Sequence, residues 1–419
     1  MNVSLSTTVA SIELENCIYN ASGPRTGSSA AMSKIAKSAS GAVLAKSATL
    51  NSQTGNPLPR TWHSPEASVK ASLNSEGLPN SGIEYYIKET TIAEVMGDSG
   101  KPYMVSISGK TLEENIVMLT QIFEQKQNGA NIAAVELNLA CPNIIGKPII
   151  GFDFPQMEQV LDVVSKLYKE QKGATVPLGV KMPPYFDTPH FETAATILNK
   201  YKDCIKYVAS INTVGNALAV DFHAEMPVIA SKGGFAGLSG PAVKHTALAN
   251  VHKMRHYLDP SIDVVGVGGI SSGQDAFEMI LVGASAIQVG TCHWIEGPKC
   301  FERISQELKD IMKKKKYSSI NDFKGKLKEW SKEGASLSRM ARAEAKANAK
   351  AAVTSSSGDN STMERGFNKQ SLVTNLLLIF VAALLVNEKY ETFTTPTGDD
   401  IYFVISIVLF CVCITLLRS

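Results

Sequence analysis

The chain has 419 residues, 44% of them hydrophobic, which is enough for a full core and too long for one ordinary domain unless that domain is a barrel. Its 41 basic and 39 acidic residues leave a net charge of +2, excluding the strong positive field of a nucleic-acid-binding surface. Seven cysteines (Cys17, Cys141, Cys204, Cys292, Cys300, Cys411 and Cys413), odd in number and without paired spacing, argue against a disulfide framework or a zinc site and for reduced thiols in a cytosolic compartment.

Residues 1–16 carry no basic flank, no apolar core segment and no arginine-rich amphipathic stretch, so neither a secretory signal nor a mitochondrial presequence is expected. From there to about residue 330, short β-branched runs alternate with longer amphipathic stretches. Strands are predicted at Gly41–Lys46, Tyr103–Ser108, Val135–Leu139, Leu178–Lys181, Tyr207–Asn212, Val264–Val267 and Ala286–Val289. Helices are predicted between several of them, at Leu112–Lys126, Gln156–Glu170 and Ala242–Tyr257. The strands are almost continuously apolar, as parallel strands covered on both faces are. Repeated strand–helix units predict an α/β fold, a (β/α)8 TIM barrel over residues 1–330. A doubly wound open sheet is the alternative, but no G-x-G-x-x-G follows the first strand.

Residues 331–370 read as a helical and flexible linker: Ser338–Val353 is rich in Ala, Arg, Lys and Glu, and Thr354–Thr362 is polar and flexible. Residues 371–419 hold two apolar runs, Leu372–Val386 and Ile401–Leu417, each at the short edge of a bilayer span. Singly, either could be a buried core helix. As a pair they predict a two-helix transmembrane hairpin. Arg339, Arg342, Lys346, Lys350, Arg365 and Lys369 precede it and Arg418 follows it, whereas its connecting loop holds Glu388, Glu391, Asp399 and Asp400 against Lys389 alone. Positive flanks stay cytosolic, so both ends of the hairpin and the barrel are expected on the cytoplasmic side.

In a barrel the active site lies at the C-terminal ends of the strands. Lys46-Ser47, Asn138, Lys181, Asn212-Thr213, Gly268-Gly269 and Gly290-Thr291 all fall at predicted strand ends. The run after Val135 delivers Asn138, Cys141 and Asn143 in quick succession, and amides flanking one thiol suggest a cysteine that moves a proton beside a planar polar ring. The plain alternative is an inert core cysteine. A lysine closing a buried strand is costly unless its charge meets an anion, so Lys46 and Lys181 suggest one shared, electron-rich ligand; two lysines snorkelling to the rim is the other reading. Gly268-Gly269 and Gly290-Thr291, after the predicted seventh and eighth strands, occupy the usual barrel phosphate site. Together these demands fit flavin mononucleotide (FMN) better than pyridoxal phosphate, although a strand-end lysine keeps a Schiff base open.

Four segments carry a family resemblance: Asn138-Leu139-Ala140-Cys141-Pro142-Asn143, Asn74-Ser75-Glu76-Gly77-Leu78-Pro79-Asn80, Gly179 to Asp187, and Gly55-Asn56-Pro57-Leu58-Pro59-Arg60. In order and with few gaps over about residues 4–330, the chain resembles the class 1A, fumarate-dependent dihydroorotate dehydrogenases. The resemblance implies an FMN barrel, usually a homodimer, that oxidises dihydroorotate to orotate in pyrimidine synthesis and reduces fumarate to succinate, with no metal. By resemblance, Cys141 is the catalytic base that takes the C5 proton. Lys46, Asn74, Gly77, Leu78, Asn138, Asn143, Asn212 and Thr213 hold the substrate. Ala21, Gly23, Lys46, Ser47, Asn138 and Lys181 contact the flavin, and Gly240, Gly268, Gly269, Gly290 and Thr291 take its phosphate.

Three positions depart from the pattern: Glu76 stands where the family has methionine, Ala140 where it has serine, and in Ser231-Lys232 the lysine comes one residue late. The terminal hairpin has no counterpart in the soluble family. It leaves quinone open as acceptor, and a partner subunit would open a pyridine nucleotide. A non-enzymatic, membrane-anchored scaffold would be expected to lose Cys141 or the lysines, and both are retained.

Overall fold

The computed structural model describes residues 2–65, 71–140, 149–171 and 175–356. Eight parallel strands form one sheet: β1 (Ile18–Asn20), β2 (Val43–Leu44), β3 (Tyr103–Ile107), β4 (Ala134–Asn138), β5 (Leu178–Met182), β6 (Ile205–Ser210), β7 (Asp263–Val267) and β8 (Ala286–Val289). Each pairs with its neighbour in sequence from β2 to β8, and β8 then pairs with β1. Strands β1 and β2 share no ladder, but a side chain bridges them. The Asn20 amide donates to Leu44 O (2.6 Å) and accepts from Leu44 N–H (3.0 Å), standing in for a peptide group, and Gly41 N–H reaches Ile18 O at 2.8 Å. The barrel is thereby nearly closed.

Helices cover the outside: α1 (Ser29–Ala36), α2 (Glu89–Met96), α3 (Leu112–Gln127), α4 (Phe154–Glu170), α5 (Thr188–Lys200), α6 (Lys244–Tyr257), α7 (Gly273–Leu281) and α8 (Lys299–Lys315). Local chemistry fixes where several begin. Ser28, Thr111, Asp153, Asp187 and Ser272 each accept a first-turn N–H with the side chain, as N-caps do. Outward-facing Val105, Leu137, Val180, Val208 and Ile287 pack against apolar helix faces such as Met118, Ile122, Val160 and Val164. Burial of these faces is the main favourable term in folding.

Inside the barrel a smaller cluster (Tyr19, Leu44, Met104, Ala134, Tyr207, Val265) meets Val9 and Leu14 from an N-terminal hairpin, Thr7–Val9 with Ile12–Leu14. Hydrogen bonds from Ala10 N–H to Asp263 Oδ2 (2.9 Å) and from Thr7 Oγ1 to Ser285 O (2.8 Å) seat that hairpin against the starts of β7 and β8. The N-terminal mouth is plugged, leaving the C-terminal mouth for a site.

Over that second mouth lies an antiparallel sheet ordered Val214–Ala217, Ala236–Ser239, Ser72–Asn74, Thr61–His63. It joins the long connection after β2 to the one after β6, with Asn74 opposite Gly237 and Ser72 opposite Ser239. A short hairpin, Val220–Asp221 with Met226–Pro227, projects from it with Leu218, Val220, Phe222 and Met226 exposed.

Several expectations change in detail. The strand ending at Lys46-Ser47 is second in the barrel, because Ile18–Asn20 comes first. The C-terminal helix runs Lys332–Ser356, so Thr354, Ser355 and Ser356, expected in a flexible linker, are helical. Residues 1–328 and 329–419 divide as two compact units. The expected membrane hairpin at residues 371–419 lies outside the described residues. Among the described residues no helix is long and apolar enough to cross a membrane.

Candidate active site

At the C-terminal mouth, one open cleft of about 1830 Å³ is lined by Ala21 and Gly23 after β1 and by Lys46 and Ser47 after β2. Asn74, Gly77 and Leu78 join it from the antiparallel sheet, Asn138 from the end of β4, Lys181 from β5, and Asn212 and Thr213 after β6. Gly240 before α6, Gly268 and Gly269 after β7, and Gly290 and Thr291 after β8 complete it. Sixteen predicted positions thus converge from seven barrel strands and the sheet above them. Cys141 and Asn143 follow β4 directly in sequence and lie outside the described residues.

Backbone geometry fixes the amides. Asn138 Oδ1 accepts from Ala140 N–H (3.1 Å) and from Asn212 Nδ2 (3.3 Å), linking β4 to β6, while Asn212 N–H bonds Met182 O on β5 at 2.9 Å. Ser47 Oγ pairs with Ser106 Oγ (2.8 Å) and donates to Ser22 Oγ (3.2 Å), tying three strand ends together. Gly77 and Leu78 take positive φ of 67° and 51°, and Gln53 Nε2 holds their carbonyls at 2.8 and 3.0 Å. The turn therefore presents backbone to the cleft in a conformation that glycine tolerates and leucine adopts only when held.

The two strand-end lysines do not share one ligand within the chain. Each meets its own carboxylate. Lys46 Nζ lies 2.7 Å from Glu76 Oε2. Lys181 Nζ donates to Gln288 Oε1 (2.8 Å) and stands 3.9 Å from Glu136 Oε1. Gln288 Nε2 in turn donates to Glu136 Oε2 (2.7 Å), which Tyr207 OH also approaches at 3.5 Å. Glu136 is fully buried in the barrel, and its Oε1 accepts no hydrogen bond from a described residue. Burial lowers the pKa of Lys181 from the ordinary lysine value, and the Glu136 charge opposes that shift. Burial, reinforced by Glu136, pushes the Tyr207 and Tyr19 phenols upward, so both remain neutral donors. Glu136 and Gln288 went unrecognised in the sequence. A charged residue in the middle of the apolar run Val135-Glu136-Leu137 was the available signal, since an isolated buried charge demands a partner.

The glycines serve two purposes. A Cβ on Gly269 (φ 74°) would fall 2.6 Å from Lys244 Cα, and one on Gly268 (φ 120°) 2.9 Å from Ala247 Cβ, so this pair lets β7 turn tightly against α6. At Gly290 a Cβ would meet only Ala21 Cβ at 3.8 Å, and at Gly23 nothing within 4 Å. Those two leave open room in the cleft itself. Among the described residues no group of His, Cys, Asp and Glu could hold a metal ion, in keeping with lysines, amides and glycines as the lining.

Comparison with known proteins follows the same lines. A family model described as dihydroorotate dehydrogenase matches residues 4–312. The chain is 44% identical over 324 residues to dihydroorotate dehydrogenase A (fumarate) of Lactococcus lactis, covering 77% of this chain and 99% of that one. It is 43% identical over 327 residues to dihydroorotate dehydrogenase (fumarate) of Saccharomyces cerevisiae, covering 78% and 99%. In fold it is similar to a dihydroorotate dehydrogenase from Eimeria tenella solved with ferulenol (TM-score 0.62, 19% identity, 77% of this chain and 88% of that) and ligand-free (TM-score 0.63, 19% identity, 77% and 91%). On the family match and on these identities over nearly the whole length of the relatives, the chain belongs to the dihydroorotate dehydrogenase family.

Proposed function

We propose that the protein oxidises (S)-dihydroorotate to orotate in pyrimidine biosynthesis, using FMN and passing the electrons to fumarate, which becomes succinate. The single observation that carries this reading is the 43–44% identity to fumarate-type dihydroorotate dehydrogenases across a chain whose strand-end residues line one cleft. The residues fit the cofactor. A buried lysine lining the cleft, Lys181, can face an electron-rich ring, and the room left at Gly23 and Gly290 would otherwise be filled by side chains. Gly240, Gly268, Gly269, Gly290 and Thr291 would hold the phosphate, and Ala21, Gly23, Lys46, Ser47, Asn138 and Lys181 the ring system. Bound FMN supplies a two-electron acceptor for the hydride leaving C6 of dihydroorotate.

The protein's own residues do the rest. Lys181, fixed by Gln288, offers a positive charge that needs no reorganisation as negative charge develops opposite it. Asn74, Asn138, Asn143 and Asn212 supply donors and acceptors for the alternating edge of a pyrimidine ring. Gly77, Leu78, Thr213 and Lys46 complete the grip on the ring and its carboxylate. Cys141 takes the C5 proton; an unperturbed thiol pKa of about 8.5 needs only a modest shift for this task near neutrality.

Anaerobic stopped-flow bleaching of the flavin by dihydroorotate tests the whole, followed by reoxidation with fumarate or a soluble quinone. Wild-type bleaching, a severe slowing in Cys141→Ser with flavin content retained, and faster reoxidation by fumarate are expected. Wild-type-speed bleaching in Cys141→Ser would assign the base elsewhere, and a preference for quinone would overturn the acceptor.

Exposed Leu218, Val220, Phe222 and Met226 support a homodimer contact. The paired apolar runs at 371–419 with basic flanks support a membrane tether whose two ends are cytosolic. Full-length protein that washes off membranes in carbonate would remove the tether.

A further inference from the structure

All three departures line the cleft, and Glu76 is the one whose charge meets a strand-end lysine. Its carboxylate sits 2.7 Å from Lys46 Nζ, with the lysine side chain 6% exposed and the glutamate 20%. Ion pairs over 40% exposed on both sides, such as Lys200–Glu158 and Lys166–Asp162, are solvated contacts of the ordinary surface kind. The Glu76 pair is largely desolvated, so its charges are worth more to each other and harder to leave unmatched.

The backbone around Glu76 cannot move aside. Its carbonyl accepts from Asn56 N–H at 2.8 Å, and the Asn56 amide holds the Ser75 carbonyl at 2.8 Å. On the other side Gln53 grips the Gly77 and Leu78 carbonyls. A Cβ on Gly55 would lie 2.4 Å from Glu76 O, so that flank is closely packed as well. Only the side chain is free to leave Lys46. With Lys46 matched by Glu76 and Lys181 by Glu136, neither buried ammonium waits unpaired for an anion.

We propose that Glu76 is a specificity residue: an internal carboxylate that an anionic ligand must displace from Lys46 before its own carboxylate can take that place. The proposal rests on the assignment of the cleft to dihydroorotate. Entry then exchanges one carboxylate for another, so the ligand gains less from Lys46 than an open cation would give it. The displaced Glu76 stays anchored beside the bound ligand and repels it, more for a dianion such as fumarate than for a monoanion such as dihydroorotate or orotate. Discrimination thus comes from a repulsive group built into the site.

The test uses FMN-loaded wild-type, Glu76→Gln and Glu76→Met enzymes, each checked for flavin content and titrated with orotate by the change in flavin absorbance. Both variants should bind orotate about tenfold tighter, equivalent to about 1.4 kcal/mol, and their KM for fumarate should fall by a larger factor. In a Lys46→Met background no ion pair is left to exchange and only the repulsion by Glu76 remains, so the gain in orotate affinity from the Glu76 substitutions should be clearly smaller than with Lys46 present. If the wild type binds orotate and both variants bind it no tighter, or the gain is undiminished without Lys46, the gate is wrong while the substrate stands. If orotate leaves the flavin spectrum of the wild type unchanged, the substrate assignment falls and the gate with it.

Discussion

Removing the charge of Glu136 is the sharpest probe of the barrel interior. In Glu136→Gln, Lys181 keeps Gln288 Oε1 at 2.8 Å and loses only the carboxylate 3.9 Å away. At that separation and an effective dielectric of about 20, the lost attraction is about 4 kcal/mol. Stripping one partner from a buried pair costs about 3–5 kcal/mol, a large share of the roughly 5–15 kcal/mol that holds a typical domain together. Urea denaturation should register that loss. The double variant Glu136→Gln/Lys181→Met, which removes both charges, should recover most of it. Burial already lowers the Lys181 pKa from 10.5, and without Glu136 nothing opposes that shift. The deficit of Glu136→Gln should therefore be full at neutral pH and shrink as the pH rises and Lys181 sheds its proton. With flavin bound, a Lys181 charge no longer offset by Glu136 should raise the midpoint potential, by about 30 mV for each 1.4 kcal/mol gained by the reduced form. A loss below about 1 kcal/mol, or a double variant no more stable than the single one, would refute the coupling.

Asn20→Ala should destabilise the barrel by about 2–4 kcal/mol in denaturant, because Leu44 N–H and C=O are both left buried without the amide that joins β1 to β2. His293, 2% exposed, is held to a pKa of about 4 by burial first and then by Arg25. Below an unfolded pKa of about 6.5 the unfolded chain binds a proton that the folded one refuses, so stability present above that value is lost as the pH falls towards 4, by about 3 kcal/mol. Melting temperatures between pH 7 and 4.5 should fall more steeply in the wild type than in His293→Asn, and equal slopes would count against a buried neutral imidazole.

The fold was legible where strands are long and apolar. Tyr103–Ile107, Leu178–Met182 and Ala286–Val289 announce themselves by largely apolar runs carrying β-branched residues, each broken by one polar residue, Ser106, Lys181 and Gln288 respectively. Ile18–Asn20 does not, being three residues long and close behind the polar Glu15 and Asn16; its strand character comes from pairing with β8. The antiparallel sheet is similarly hidden, since strands of three or four residues such as Thr61–His63 give period-two alternation too little length to appear. Strand-end polar residues revealed the cleft because parallel barrels direct every such end to one mouth. One shared anion was expected for the two strand-end lysines; within the chain each meets a different one, Glu76 for Lys46 and Glu136 for Lys181. Glu136 could have been placed on the inward face beside Asn138 by the two-residue period alone. Glu76 could not, since its partner lies 30 residues away across a turn whose shape depends on Asn56 and Gln53.

The register between Ser72–Asn74 and Ala236–Ser239 joins two excursions that leave the barrel far apart in sequence. Asn74, which lines the cleft, is laced to Gly237, and Ser239, which receives the Thr291 hydroxyl at 3.2 Å, is laced to Ser72. The two ends of the cleft are therefore spliced into a single plate, and neither loop can change length or slide by one residue without turning the other's side chains to the wrong face. Variation is confined to the tips beyond the splice, such as the hairpin at Val220–Pro227, where the chain can be remodelled while the spacing between the cleft's two ends is held constant.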